Sequence, residues 1–313
     1  MKLVVGLVML FAVTVVVFFA TQGLPGDTAR AILGQTATDA SIQALREQLG
    51  LDRPLIVQYG TWLTGVLRGD FGVSLVNQLP VWDATIAPRL GNSLALMFVS
   101  SIVTFPLAIL VGIRAAAKPG GILDRLVSSM AIVFAAVPAV VLGLTLLILF
   151  STTVWKVFPG VSSIDPGTPV VMQLGLFVLP ACSLAVTFIP NITYNIRARM
   201  LEELSAAYVL QARVNGVPEG RVLWRHALRN AVGPALQVIA VALVSMTGGA
   251  VVVETIYGFP GLGSALNVAI TYRDLPVIQG IVLLLVAGAI VIFTLVDILG
   301  LMLTPRLREG GSR

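Results

Sequence analysis

A run of about 20 apolar residues is long enough to cross a bilayer as a helix. This chain carries six such runs, at Leu3–Ala20, Gly91–Ile113, Leu126–Phe150, Leu174–Ile192, Ala231–Val253 and Val277–Leu303. Lipid offers no partner to a bare N–H or C=O, so runs of this kind span as helices that satisfy their own backbone. Composition agrees: of 313 residues, 57% are hydrophobic and 11% charged, against about 25% charged in a soluble domain. So little charge cannot cover a water-facing surface of this size. The expected fold class is therefore an all-α polytopic membrane protein of six spans.

The first run could instead be a cleavable signal. Its length and the lack of a small-x-small site after it favour a retained helix, residues 1–22. Thr21 to Leu90 differs in kind, with charges of both signs. Thr38 can cap a helix carrying Ile42, Leu45 and Leu49 at spacings of three and four, stopped by Gly50. Pro54 suits the first turn of a second helix, with Leu55, Tyr59, Trp62, Leu63 and Val66 on one face and Gly69 at its end. Residues 23–90 thus read as a helical extracytoplasmic segment, either a tie between two spans or a docking surface for a delivery protein. Residues 91–305 form the remaining five-helix core, with a polar loop at 197–230 and a tail at 306–313. Pro138, Pro180 and Pro190 fall inside spans, where each removes a helical hydrogen bond and invites a kink.

Basic residues choose the side. With both ends in the cytoplasm, most of the 20 lysines and arginines lie inside, and the short outer loops hold only Lys156 and Arg273. A cell-membrane protein with cytoplasmic termini is expected, and its net charge of +5 is loop charge that sets orientation. No nucleic acid is expected as a partner. One cysteine, Cys182, and one histidine, His226, exclude an internal disulfide and a Cys- or His-rich metal site. No phosphate-binding loop ending in Lys-Ser or Lys-Thr is present, nor G-x-S-x-G, nor H-E-x-x-H, so neither ATP hydrolysis nor proteolysis is expected of this chain.

The long basic interruption is RARMLEELSAAYVLQARVNGVPEGRVLWRHALRNAVGP, Arg197 to Pro234. Leu201–Val214 reads as one helix extending the fourth span. Gly216 and Pro218 break it, and Arg221–Leu228 resumes as a short amphipathic helix. Helix, turn, helix between two spans has the shape of a lever.

This stretch resembles the cytoplasmic loop of ABC importer permeases, whose general pattern places Glu-Ala-Ala before a glycine; here Leu210, Gln211 and Ala212 precede Gly216. The peptide-transport branch is matched more fully, by Tyr208, Ala212, Arg213 and Gly216, then Arg225-His226-Ala227-Leu228-Arg229-Asn230 and Pro234. Gly248 to Thr255, Phe259-Pro260-Gly261-Leu262-Gly263, Arg273-Asp274, Pro276, Gln279-Gly280, Asp297 and Pro305-Arg306 are similar to further signatures of that branch. So are Leu24-Pro25-Gly26-Asp27, Leu49 to Pro54, Gln58-Tyr59 and Gly69-Asp70-Phe71-Gly72. Relatives of this kind often carry several arginines before the first span, where only Lys2 stands here.

The resemblance implies one permease subunit of a dipeptide or oligopeptide importer with the type I permease fold. Implied partners are a second, related permease in a heterodimer, two ATP-binding subunits that hold ATP and Mg, an extracytoplasmic substrate-binding protein and the peptide cargo. It places Tyr208, Ala212, Arg213, Gly216, Arg225, His226, Arg229 and Asn230 at the ATPase contact. The arginines could equally serve topology, and His226 could be a packing residue. Glu254, Pro260, Gly261 and Asp297 are candidates for a gate or an intramembrane polar site. Asp297 lies about 10 Å inside the end of its span, where a structural hydrogen bond is favoured over a proton relay. Glu254 could simply be solvated at the interface, and the Phe259–Gly263 turn is either a gate or a tight reversal. The same architecture carrying nickel chelates or glutathione is the nearest alternative. An ion-coupled secondary transporter is a further one, but it would leave the cytoplasmic lever unexplained.

Overall fold

The computed structural model describes residues 2–22, 30, 33, 37–49, 52–164 and 173–303. The motif at Leu24 to Asp27, the Gly50-Leu51 pair, Pro305-Arg306 and the tail at 306–313 lie outside the described residues. Within them the chain is helical, apart from loops and an isolated antiparallel bridge between Val73 and Pro80. In chain order the helices are α1 (Lys2–Gln22), α2 (Asp39–Leu49), α3 (Leu55–Leu67), α4 (Trp82–Ala117), α5 (Ile122–Ala136), α6 (Ala139–Thr152), α7 (Leu174–Leu204), α8 (Ala207–Val214), α9 (Glu219–Ile256), α10 (Leu262–Tyr272) and α11 (Leu275–Leu303).

Four of these, α4, α7, α9 and α11, are long and apolar enough to cross a membrane. The expected third span is different: α5 and α6 meet at an angle of 97°, and only as a pair do they make a fifth. The break sits at Val137-Pro138. Val137 is extended (φ −92°, ψ 121°), the conformation that a following proline favours over the helical one, and Pro138 starts α6 instead of kinking a continuous span. Pro106, Pro180, Pro190 and Pro234, by contrast, lie inside unbroken helices. The first expected span falls on α1, of which Val8–Gln22 ranks among the shorter apolar helices.

The chain divides into two compact units. The first comprises residues 1–94 and 258–290. Thr38 caps α2 by accepting from the Ser41 amide, and Pro54 opens α3. Helix α3 lies against α1 through an aromatic cluster: Phe18 meets Tyr59 at 5.4 Å and Trp62 at 5.7 Å between centroids, and Thr14 shares a 2.9 Å hydrogen bond with Tyr59. Phe71, Val81 and Ile86 pack with Leu262, Val277 and Ile281 in the core. Asp274 ties down the hairpin after α3, accepting from the Ser74 hydroxyl and, at 3.0 Å, from the Leu75 amide.

The second unit comprises residues 95–257 and 291–313. Its core joins Ala108 and Ile113 of α4, Ile192, Ile196 and Met200 of α7, and Ala227 and Ala231 of α9. Gly112 permits the α4–α7 approach: a Cβ there would stand 2.9 Å from the Thr193 carbonyl oxygen. Tyr257 is fully buried and donates to the Gly143 carbonyl at 3.0 Å, while its oxygen shares a 2.8 Å bond with Ser183. At the α4–α5 corner, Asp124 pairs with Arg197 of α7 and accepts from the Gly120 amide at 2.8 Å.

Candidate functional site

The polar interruption between α7 and α9 folds into a compact projection. Helix α7 runs twelve residues beyond the expected end of its span, to Leu204, but it does not continue to Val214. Ser205 closes it and Ala206 turns extended (φ −68°, ψ 147°), so α8 is a separate helix of 8 residues. Two carbonyls near its end are then closed by the turn: Gly216 N–H donates to Arg213 O at 3.0 Å and Val217 N–H to Ala212 O at 3.1 Å. Gly216 sits at φ +76°, a left-handed conformation that glycine adopts without steric cost. Pro218 then opens α9. The expected short helix over Arg221–Leu228 is not separate: Val222–Ala227 is a widened helical turn inside a continuous α9 of 38 residues.

Eight of the residues singled out in the sequence lie together here. Val209 is the anchor of α8, fully buried, and the helix packs on the Val222–Ala227 turn. Around that anchor Tyr208 (39%), Leu210 (62%) and Val214 (74%) are exposed. Ala212 is half-buried beneath them. The Tyr208 hydroxyl donates to Glu203 at 2.6 Å and also meets Asn230. Partial burial and the Glu203 bond both favour the neutral phenol and push its pKa up. Arg213 is turned inward on its own turn, forking onto Glu219 at 2.8 and 3.2 Å. Arg225 and Arg229 are exposed and His226 is half-buried.

The other four candidates are not part of this cluster. Glu254 lies near the end of α9 and is 1% exposed, so interfacial solvation does not describe it. Asp297 of α11 accepts from Gln237 Nε2 of α9 at 3.1 Å. In the first unit, Pro260 and Gly261 form the turn before α10. Asn92 donates to the Pro260 carbonyl at 2.9 Å, and Ser93 accepts from the Leu262 amide at 2.8 Å, so α4 fixes this turn at two points.

Two features escaped the sequence. One is the part-buried Asp124–Arg197 pair, whose members stand 73 positions apart. The other is a cavity of about 520 Å³ within the second unit, bounded by α5, α7 and α9, with Asn191, Asn195 and Arg199 on its wall. Their spacing of four was a readable sign of one polar helix face.

Spanning helices, a broken membrane helix and a small helix-and-turn projection between two spans define a multi-pass membrane protein of the type I permease fold. Residues 108–309 match the family described as the binding-protein-dependent transport system inner membrane component, and residues 1–97 match the N-terminal region described for such membrane components. The chain belongs to this family and is a transport subunit. It is 34% identical over 309 residues to a "probable peptide ABC transporter permease protein" of Sinorhizobium fredii, covering 98% of this chain and 97% of the relative. A "putative peptide transport system permease protein" of Brucella abortus is 37% identical, with 95% and 94% covered. A "probable D,D-dipeptide transport system permease protein" of Escherichia coli is 32% identical, with 98% and 96% covered.

Proposed function

We propose that this chain is one transmembrane subunit of an ATP-driven importer that moves dipeptides or short oligopeptides into the cell by alternating access. The observation that carries it is likeness over nearly the whole length to relatives named as peptide permeases. Its partners in this reading are a second, related permease, two ATP-binding subunits on the cytoplasmic face and an extracytoplasmic substrate-binding protein. ATP and Mg belong to the ATP-binding subunits, and no covalent chemistry falls to this chain. Both termini and the α7–α9 projection face the cytoplasm, as the basic residues favour.

In this reading α8 is the coupling helix. An eight-residue helix that anchors one side chain and exposes Tyr208, Leu210 and Val214 suits a groove on an ATP-binding subunit. Arg225 and Arg229 are exposed beside it for acidic partners, whereas Arg213 serves mainly to brace the turn through Glu219. The Phe259–Gly263 turn shapes the outer gate.

Purification of a tagged copy from its native membrane in mild detergent tests the assembly. Recovery with two ATP-binding subunits and a related permease, and peptide on an associated binding protein, is the expected result. A stable chain recovered without any ATP-binding subunit overturns the proposal, and nickel chelate or glutathione on the binding protein overturns the cargo.

A further inference from the structure

The cavity in the second unit has a polar side and an apolar side. On α7, Asn191, Asn195 and Arg199 follow at spacings of four, so they line one face over about 12 Å. Phe134 and Phe188 line the same cavity. The Asn195 amide donates to the Asn191 carbonyl at 2.9 Å and to its side-chain oxygen at 3.0 Å. Asn191 Nδ2 then remains as a donor and Asn195 Oδ1 as an acceptor, the pair that a peptide unit needs.

Arg199 stands at the foot of this ladder and is the one charged side chain among the described residues that line the cavity. It touches Glu202 at 3.1 Å, an i,i+3 pair with side chains 51% and 69% exposed. Solvent screens such a pair, so a carboxylate inside the cavity can displace it. The rise from Asn195 to Arg199 is about 6 Å, close to the length of two residues of extended peptide at about 3.3 Å each. A volume of about 520 Å³ holds a short peptide with its side chains against the two phenylalanines.

Resting on the peptide-importer reading, we propose that Arg199 is a specificity-determining residue that receives the free C-terminal carboxylate of the transported peptide, with Asn191 and Asn195 bonding its backbone. A guanidinium binds a carboxylate through two parallel hydrogen bonds, which an amidated C-terminus cannot reproduce.

The test uses the assembled importer in proteoliposomes. Ser245, on the cavity wall, is replaced by cysteine in a Cys182→Ser background, and maleimide labelling is followed with millimolar dialanine or dialanine amide. The acid is expected to slow labelling several-fold more than the amide. Arg199→Gln should reduce that ratio to about one, with Arg199→Lys intermediate. Protection of equal size by acid and amide, an acid preference that survives Arg199→Gln, or no protection by either overturns the assignment. Peptide uptake in the same vesicles separates the two levels. Uptake without acid-selective protection sinks Arg199 alone, whereas no uptake of any peptide sinks the importer reading.

Discussion

Asp124 and Arg197 carry opposite charges at a site where the carboxylate is buried and the guanidinium only partly so. Their side chains are 6% and 18% exposed, and the Gly120 amide supplies the carboxylate with a further donor at 2.8 Å. Removing one member of such a part-buried pair leaves the other partly desolvated without its partner and costs about 1–3 kcal/mol. Asp124→Ala should therefore lower the thermal stability of the detergent-solubilised protein markedly. Replacing both members with apolar residues should recover much of the loss, and a double variant no better than the single would refute this account. Arg213 and Glu219 make an equally good fork in space but are 38% and 70% exposed, so the pair is worth about 0–1 kcal/mol. Arg213→Gln should leave the melting temperature nearly unchanged. At Tyr208 burial and Glu203 favour the neutral phenol. A raised pKa of this kind stabilises the fold below the ordinary phenol value and is lost as pH rises through the higher folded value. A difference titration against Tyr208→Phe should place the Tyr208 midpoint above the usual phenol range, and Glu203→Gln should bring it down.

Helices α8 and α9 depend on the turn between them more than on their own propensity. Gly216 at φ +76° is the point where a side chain would be strained, at about 1–2 kcal/mol for an ordinary L-residue. Gly216→Val should cut peptide-stimulated ATPase activity of the assembled importer sharply, and Gly216→Asn less, because asparagine tolerates that region. Equal activity in all three would remove the turn from the coupling path. This turn was legible in the sequence because the chemistry that ends a helix is local: Thr38, Pro54 and Gly216 all act where they were expected to. The break after Leu204 was not legible, since Ser205 and Ala206 are neither proline nor glycine. Nor could proline spacing tell that Pro138 would break its span while Pro180 and Pro190 would not. Whether a proline kinks or breaks a helix is decided by what packs around it, and the bond from Tyr257 to the Gly143 carbonyl, five residues after Pro138, joins residues far apart in the chain.

At the scale of the molecule, the class of fold was readable because length and apolarity alone force it, whereas the division into two units rests on contacts that no periodicity reveals. Sidedness can be measured directly. Cys182 is the only cysteine, so a Cys182→Ser background accepts single reporters. A cysteine at Gln211 should react with a membrane-impermeant maleimide only in inverted vesicles, and one at Thr61 only in intact spheroplasts. The opposite pattern would reverse the orientation. The uninterrupted course of α9, from Glu219 to Ile256 without a break, has a geometric consequence. At 1.5 Å per residue its 38 residues extend about 57 Å. A tilt of one degree about its base thus carries its far end by about 1 Å, enough for small swings beside the projection to be read as side-chain-sized displacements at the opposite end.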